Sequence, residues 1–180
     1  MINGTNVMID LETMGVSYNP AIAAIGAVAF NADGITSRFY QVVDLQSCIY
    51  LGLTVDGSTI SWWLEQSDSA RLALLKERVL LPQALRNFNK WGNELGGIES
   101  VWANGATDDL VWLDSAYKVC GYLPLMPDFY KKKRCYRTIK AIFPEVEIPK
   151  VGTEHNAQDD AEYQALKLIE INRRTGWRGK

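Results

Sequence analysis

Apolar and polar positions along the chain fall into two regimes. In the N-terminal quarter the apolar runs are short and β-prone. Asn6–Asp10 (Asn-Val-Met-Ile-Asp) is the first, and a turn region follows at Gly15–Pro20. Ala21–Phe30 is apolar and rich in Ile, Val and Ala, and Asn31-Ala-Asp-Gly34 after it has the composition of a hairpin turn. Phe39–Val43 supplies a third strand, so the three read as an antiparallel meander. Near Thr54 the period lengthens. Asp56-Gly-Ser58 has the character of a helix start, with Ile60, Trp63 and Leu64 on one face. Pro82–Leu95 carries Leu85, Phe88 and Trp91 at helical spacing and stops at Gly96-Gly97.

The rest alternates between the two periods. Glu99–Trp102 reads as a strand leading into a turn at Asn104-Gly105. A helix from Thr107 or Asp108 to Val119 carries Leu110, Leu113 and Tyr117 and ends at Gly121. Pro124–Lys133 reads as irregular. A last helix from about Asn156 to Arg174 turns Ala161, Ala165, Leu168 and Ile169 inward. Without repeats, low-complexity tracts or linkers, this order predicts one α/β domain over residues 1–180, with a mixed sheet flanked by helices.

Composition narrows the setting. A chain of 180 residues with 47% hydrophobic and 22% charged positions can bury a sizeable core. The longest apolar stretch, Pro20–Phe30, is about half the ~20 residues a membrane span needs, and no Lys/Arg region precedes it. Cys48, Cys120 and Cys135 are too few and too scattered for a disulfide framework or a zinc site, which points to a reducing cytoplasm. A net charge of −2 does not mark a nucleic-acid binder, so any such substrate would need a local cluster of cations.

Candidate chemistry gathers in three acidic segments. Asp10 and Glu12, at i and i+2 on a strand end, project from the same face. Adjacent carboxylates repel each other and resist desolvation unless a cation lies between them, and a hard Mg²⁺ or Mn²⁺ ion would meet that need. A solvated strand end is the plainer alternative. Asp108 and Asp109 stand where a strand turns into a helix; Thr107 or Asp108 can be its N-cap and a first-turn acid is favoured by the macrodipole, which accounts for one of the two aspartates and leaves the other open. Asp160 falls in the first turns of the last helix, for which Asn156 can be the cap. His155, the chain's one histidine, stands just before it. An imidazole with a pKa near ~6.5 can accept a proton from water at neutral pH.

Together these segments resemble the DEDDh 3′-5′ exonucleases, which include proofreading exonucleases, oligoribonuclease and RNase T. Asp10-Leu-Glu-Thr13 matches motif I (Asp-x-Glu-Thr), and His155, Ala157, Asp160 and Ala161 match motif III (His-x-Ala-x-x-Asp-Ala). Motif II is met by Asp109-Leu-Val-Trp112-Leu113, with Asp108 where the family usually has an aromatic. That departure leaves open which of the two aspartates is the ligand. Thr59-Ile-Ser-Trp-Trp-Leu-Glu-Gln66, Trp102-Ala-Asn-Gly-Ala106 and Ala116-Tyr117 resemble a phage and prophage subgroup labelled exodeoxyribonuclease VIII-like, which is also similar to a mycobacterial exoribonuclease.

The resemblance implies an RNase H-like mixed five-stranded sheet and a two-metal hydrolysis of the terminal phosphodiester to nucleoside 5′-monophosphates. Asp10 would bridge two Mg²⁺ or Mn²⁺ ions, Glu12 and Asp160 would complete one, and Asp109 would act mainly through waters on the other. His155 would be the general base. Thr13 and Met14 fall where the family contacts the terminal nucleotide, and Trp62 or Trp63 could stack a base. Lys131, Lys132, Lys133 and Arg134, with Arg137 and Lys140 behind them, offer the cation cluster that a single-stranded DNA or RNA 3′ end requires. Family members are often homodimers, which extends that expectation to this chain. Nothing in the sequence is a 2′-OH reader, so the choice between DNA and RNA stays open. Two alternatives compete: a haloacid dehalogenase-like phosphatase, whose motif needs Asp where this chain has Glu12, and a catalytically inactive nucleic-acid-binding relic.

Overall fold

The computed structural model describes residues 4–123 and 128–177. Three antiparallel strands open the fold: β1 (Asn6–Thr13), β2 (Ile22–Asn31) and β3 (Gly34–Val43). The β2–β3 hairpin closes where expected. Asn31 Oδ1 accepts from the N–H groups of Asp33 (2.9 Å) and Gly34 (3.2 Å), so the side chain itself templates the turn. Then follow α1 (Leu45–Tyr50), α2 (Gly57–Leu64), α3 (Asp68–Ala73), β4 (Arg78–Val79), α4 (Leu81–Glu94) and β5 (Ser100–Ala103). The chain ends with α5 (Asp109–Val119), α6 (Phe129–Lys132), β6 (Lys133–Cys135), α7 (Tyr136–Ile142) and α8 (Ala157–Thr175).

The sheet order is β4-β3-β2-β1-β5-β6, with β1/β5, β5/β6 and β3/β4 parallel. The mixed α/β architecture is the one expected, but the sheet has six strands where five were anticipated, because two residues of β4 extend one edge. The segment expected to be irregular also differs. Residues 124–127 lie outside the described residues, but Phe129–Lys132 forms a helical turn and Lys133–Cys135 a strand. Phe129 is buried and β6 pairs with β5, so tertiary contacts impose structure that local pattern does not announce.

Strand alternation divides the core into two layers. Val7, Ile9 and Leu11 point toward α4 and α5, into a cluster with Leu85, Phe88, Leu110 and Leu113. Met8 points the other way, into a cluster with Val28, Phe30, Ala161, Ala165 and Leu168 of α8. Asp10 and Glu12 continue the Met8 series, so they face α8. Opposite Asp10 in the β1–β2 ladder stands Gly26. A Cβ there would lie 2.1–2.3 Å from backbone atoms of Ala157 and Gln158. The first turn of α8 therefore rests directly on β2, one strand from Asp10. Among the described residues no helix is long and apolar enough to cross a membrane, and all three cysteines are free thiols.

Candidate active site

β1 outruns its parallel neighbour. Pairing with β5 stops at Ile9–Ala103, which leaves the next N–H groups on that side without a strand partner. Asp109, at the start of α5, fills the gap: its Oδ1 accepts from Leu11 N at 3.2 Å. Asp109 is 7% exposed, and Asp108 turns away toward Arg137, Oδ2 to Nη2 at 3.2 Å. Gly105 makes room for that pair, since a Cβ there would overlap the Asp108 carboxylate. Of the two aspartates in motif II, the buried one beside β1 is thus Asp109.

α8 delivers the third segment through a tightly folded entry. Asn156 is its N-cap and accepts from Gln158 N (3.1 Å) and Asp159 N (3.2 Å). The preceding loop folds back onto the first turn through two carboxylates. Asp159 Oδ2 accepts from Thr153 N at 2.7 Å, and Asp160 Oδ2 accepts from His155 N at 3.0 Å. His155 sits at φ 61°, a left-handed conformation uncommon outside glycine, so the loop spends conformational energy to hold it there. Its ring packs edge-on against Trp62, with centroids 4.9 Å apart at 80°.

Trp62 and Trp63 divide their work as their angular separation on a helix requires. Trp63 is buried and donates through Nε1 to Thr13 O at 3.0 Å, which pins α2 to the end of β1. Trp62 is 41% exposed and stands at the rim, against both Trp63 and His155. Thr13 turns its hydroxyl into the Gly15 carbonyl (2.8 Å). Met14 lines a small apolar cavity of about 200 Å³ with Ile60, Trp63 and Leu64.

Asp10, Glu12 and Asp160 each bring a carboxylate oxygen to within 4.8 Å of the others. Glu12 is 7% exposed, and its Oε1 is buried without a hydrogen-bond partner. Burial, followed by the charges of Asp109, Glu12 and Asp160, raises Asp10 well above the carboxylate range. Burial, then Asp160 and Asp109, pushes Glu12 up to about 8. Burial likewise lifts Asp109 to about 6, against the pull of hydrogen bonds from Leu11 and other backbone groups. Asp160 is raised too, mainly by burial. Clustered carboxylates that oppose their own ionisation, with one oxygen lacking any donor, fit a hard cation with oxygen ligands.

The lysine run lies elsewhere. Lys133 is level with Val101 and hence Val7, three residues (roughly 10 Å) down the strand from Asp10, and two strands across. Its ammonium meets Asp114 and the Leu110 carbonyl. Lys131 pairs with Asp128, Lys132 donates to Ile98 O, and Arg134 donates to the carbonyls of Lys131 and Lys133. The expected track over Lys131, Lys132, Lys133 and Arg134 therefore lies apart from the three clustered carboxylates, with each side chain bonded to protein oxygens. Arg137 meets the motif II segment: its N–H donates to Asn104 O at 3.0 Å and its guanidinium meets Asp108, while the charge of Lys150 acts on Asp160. Sequence reasoning passed over three contributors. Gly26 carried a signal, a lone glycine inside an apolar strand, and so did Gln164, one turn beyond Asp160 and bonded through Nε2 to Asp10 Oδ1 at 2.8 Å. Asp159, which folds the entry loop onto α8, gives no such signal.

Residues 5–172 match the model of the 3′-5′ exoribonuclease Rv2179c-like domain. No curated protein matches the sequence. Among solved structures, the nuclease domain of 3′hExo, a DEDDh family member bound to rAMP, is similar at a TM-score of 0.70 and 16% identity, over 96% of this chain and 94% of that one. S. pombe Pop2p in its Mg²⁺ and Mn²⁺ bound form reaches 0.60 at 14% identity, over 94% and 83%. E. coli Exonuclease I in complex with a dA16 oligonucleotide reaches 0.63 at 12% identity, over 97% of this chain but 42% of the larger protein. At such identities the structural likeness speaks for the fold, which is that of the RNase H-like DEDDh exonucleases.

Proposed function

Because the chain belongs to the family of Rv2179c-like 3′-5′ exoribonuclease domains, and is thereby a 3′-5′ exonuclease, we propose that it uses divalent cations at Asp10, Glu12 and Asp160 to hydrolyse single-stranded nucleic acid to nucleoside 5′-monophosphates. The observation that carries this reading is the convergence of those three carboxylates within 4.8 Å, with Glu12 Oε1 lacking any partner. Asp109, outside that group but bonded to Leu11 N, would hold a second ion mainly through waters. Residues 1–180 act as one catalytic domain. With the family known, the phosphatase and the inactive-relic alternatives fall away.

Bound Mg²⁺ or Mn²⁺ would supply neutralisation of the phosphate charge and a water that loses its proton near neutral pH. The protein's own groups do the rest. His155 takes the proton from the attacking water at a ring nitrogen; its backbone N–H is bonded to Asp160 and its ring lies against Trp62. The water oxygen bonds the terminal phosphorus as the P–O3′ bond breaks, and the departing 3′ oxygen takes a proton from solvent and becomes the new 3′ end. Thr13 and Met14, directly after Glu12, receive the terminal base, and the exposed Trp62 offers an edge to the strand. Backbone phosphates follow Arg137 and Lys140, one turn apart on α7, in preference to the Lys131–Arg134 run.

Similar structures bound to rAMP and to dA16 support a nucleic-acid substrate of either sugar. The phage and prophage subgroup is a finer proposal, supported by Thr59–Gln66, the segment that forms α2 and carries Trp62 and Trp63. A homodimer is supported by the exposed Leu64, Leu72 and Leu75 of α2 and the α3 region, and a cytoplasmic setting by the free thiols. The test uses 5′-labelled single-stranded DNA and RNA of one sequence, with Mg²⁺, Mn²⁺ or chelator. A metal-dependent ladder shortening from the 3′ end, with 5′-monophosphates released and no turnover by Asp10→Ala, is the expected result. Full turnover in chelator, or by Asp10→Ala, overturns the proposal.

A further inference from the structure

Gln164 is a buried polar side chain that the mechanism above does not use. It is 7% exposed and sits on the inward face of α8 among Ala161, Ala165 and Leu168. Its Nε2 donates to Asp10 Oδ1 at 2.8 Å, and its Oε1 is buried with no partner. For packing alone, an apolar side chain of the same length would occupy this position without stranding a carbonyl oxygen away from water. Among the described residues no other side chain hydrogen-bonds to Asp10. The amide therefore decides how the central carboxylate is turned. With Asp10 ionised, the state that binds a cation, the opposite amide orientation would set Oε1 against Oδ1, two acceptors face to face, so the donor orientation is the one that fits that state.

We propose that Gln164 is a positioning residue for metal uptake: its N–H holds Oδ1 of Asp10 and keeps the other oxygen free for the cation shared with Glu12 and Asp160. The inference rests on the reading of Asp10 as a metal ligand. Groups that hydrogen-bond a ligating carboxylate orient it before the ion arrives, and their removal typically weakens metal binding by ~10–100-fold. α8 suits the task because it also carries Asp160 one turn earlier, so a single rigid helix sets two of the three carboxylates.

The experiment measures Mn²⁺ binding to the full chain by calorimetry for the parent protein, Gln164→Met and Gln164→Leu, with thermal melts in chelator and kinetics at saturating Mn²⁺. Gln164→Met keeps the length of the side chain and removes the donor. Expected are Mn²⁺ affinity lower by ~10–100-fold, a melting temperature in chelator no lower than the parent's, turnover restored by raising Mn²⁺, and an unchanged KM for the oligonucleotide. Should the Met variant not fold, the Leu variant is read by the same criteria. Parent-like Mn²⁺ affinity in the folded variant overturns this inference and leaves the functional reading intact. A parent protein that takes up no Mn²⁺ overturns both.

Discussion

Four acidic side chains packed this closely make the metal-free protein sensitive to alkali, by an amount that can be worked out. Glu12 keeps its proton up to about 8 in the folded chain, whereas the unfolded chain releases it near 4.5. Between those values the folded state binds more protons, so stability falls as pH rises through the window. Asp10, Asp109 and Asp160 are raised as well, and the cluster titrates as a set. One retained proton costs about 1.4 kcal/mol per pH unit. From about pH 5 to pH 8 the penalty is therefore on the order of 4 kcal/mol, and at roughly 2–4 °C per kcal/mol the melting temperature drops by about 10 °C. The assay is a thermal melt of the chelated protein across that range, repeated with saturating Mn²⁺ and with Asp10→Asn. Cation binding and the loss of one carboxylate should each flatten the slope. A chelated protein whose melting temperature stays level or rises with pH, in parallel with the Mn²⁺ curve, would mean that the folded chain retains no such proton.

Three further perturbations separate the parts of the site. His155→Ala should lower kcat by the ~10²–10⁴ typical of a lost general base while Mn²⁺ affinity stays at the parent's value; parent-like turnover would remove His155 from the mechanism. Gly26→Ala forces its Cβ onto the backbone of Ala157 and Gln158, so thermal melts should show a loss of about 1–3 kcal/mol, with weaker Mn²⁺ binding because Asp160 moves with α8. An unchanged melt contradicts the close approach. Arg137→Ala should flatten the salt dependence of oligonucleotide binding by about 0.7 in log–log slope, and the paired change Lys131→Ala with Lys132→Ala should leave it unaltered.

Much of this site was legible because its residues obey short periods. The i, i+2 spacing of Asp10 and Glu12 places both on the Met8 side of β1, where α8 lies. Asn156 caps α8 as its type and position imply, and Asn31 templates the hairpin. What escaped depends on partners distant in sequence or on elements too short for a period. α1 and α3 each run six residues, and β4 and β6 exist only as additions to strands formed elsewhere. The choice between Asp108 and Asp109 turns on a backbone N–H left open where β5 ends. For the lysine run, charge in sequence says nothing of its partners: Asp114, Asp128 and the Ile98 carbonyl take those ammonium groups. Gly26 and Gln164 had local signals, but only the meeting of α8 with β1 and β2 gives them meaning.

If Asp10, Glu12 and Asp160, with Asp109 beside them, form a cation site for cleavage of a 3′ end, crystals grown with Mn²⁺ and a nucleoside 5′-monophosphate will reveal it by anomalous diffraction. Mn²⁺ peaks are expected against Asp10, Glu12 and Asp160, with a second ion reached from Asp109 through water and the phosphate beside His155. Ordered nucleotide with no Mn²⁺ peak at these carboxylates, or Mn²⁺ bound at other residues alone, would contradict that assignment.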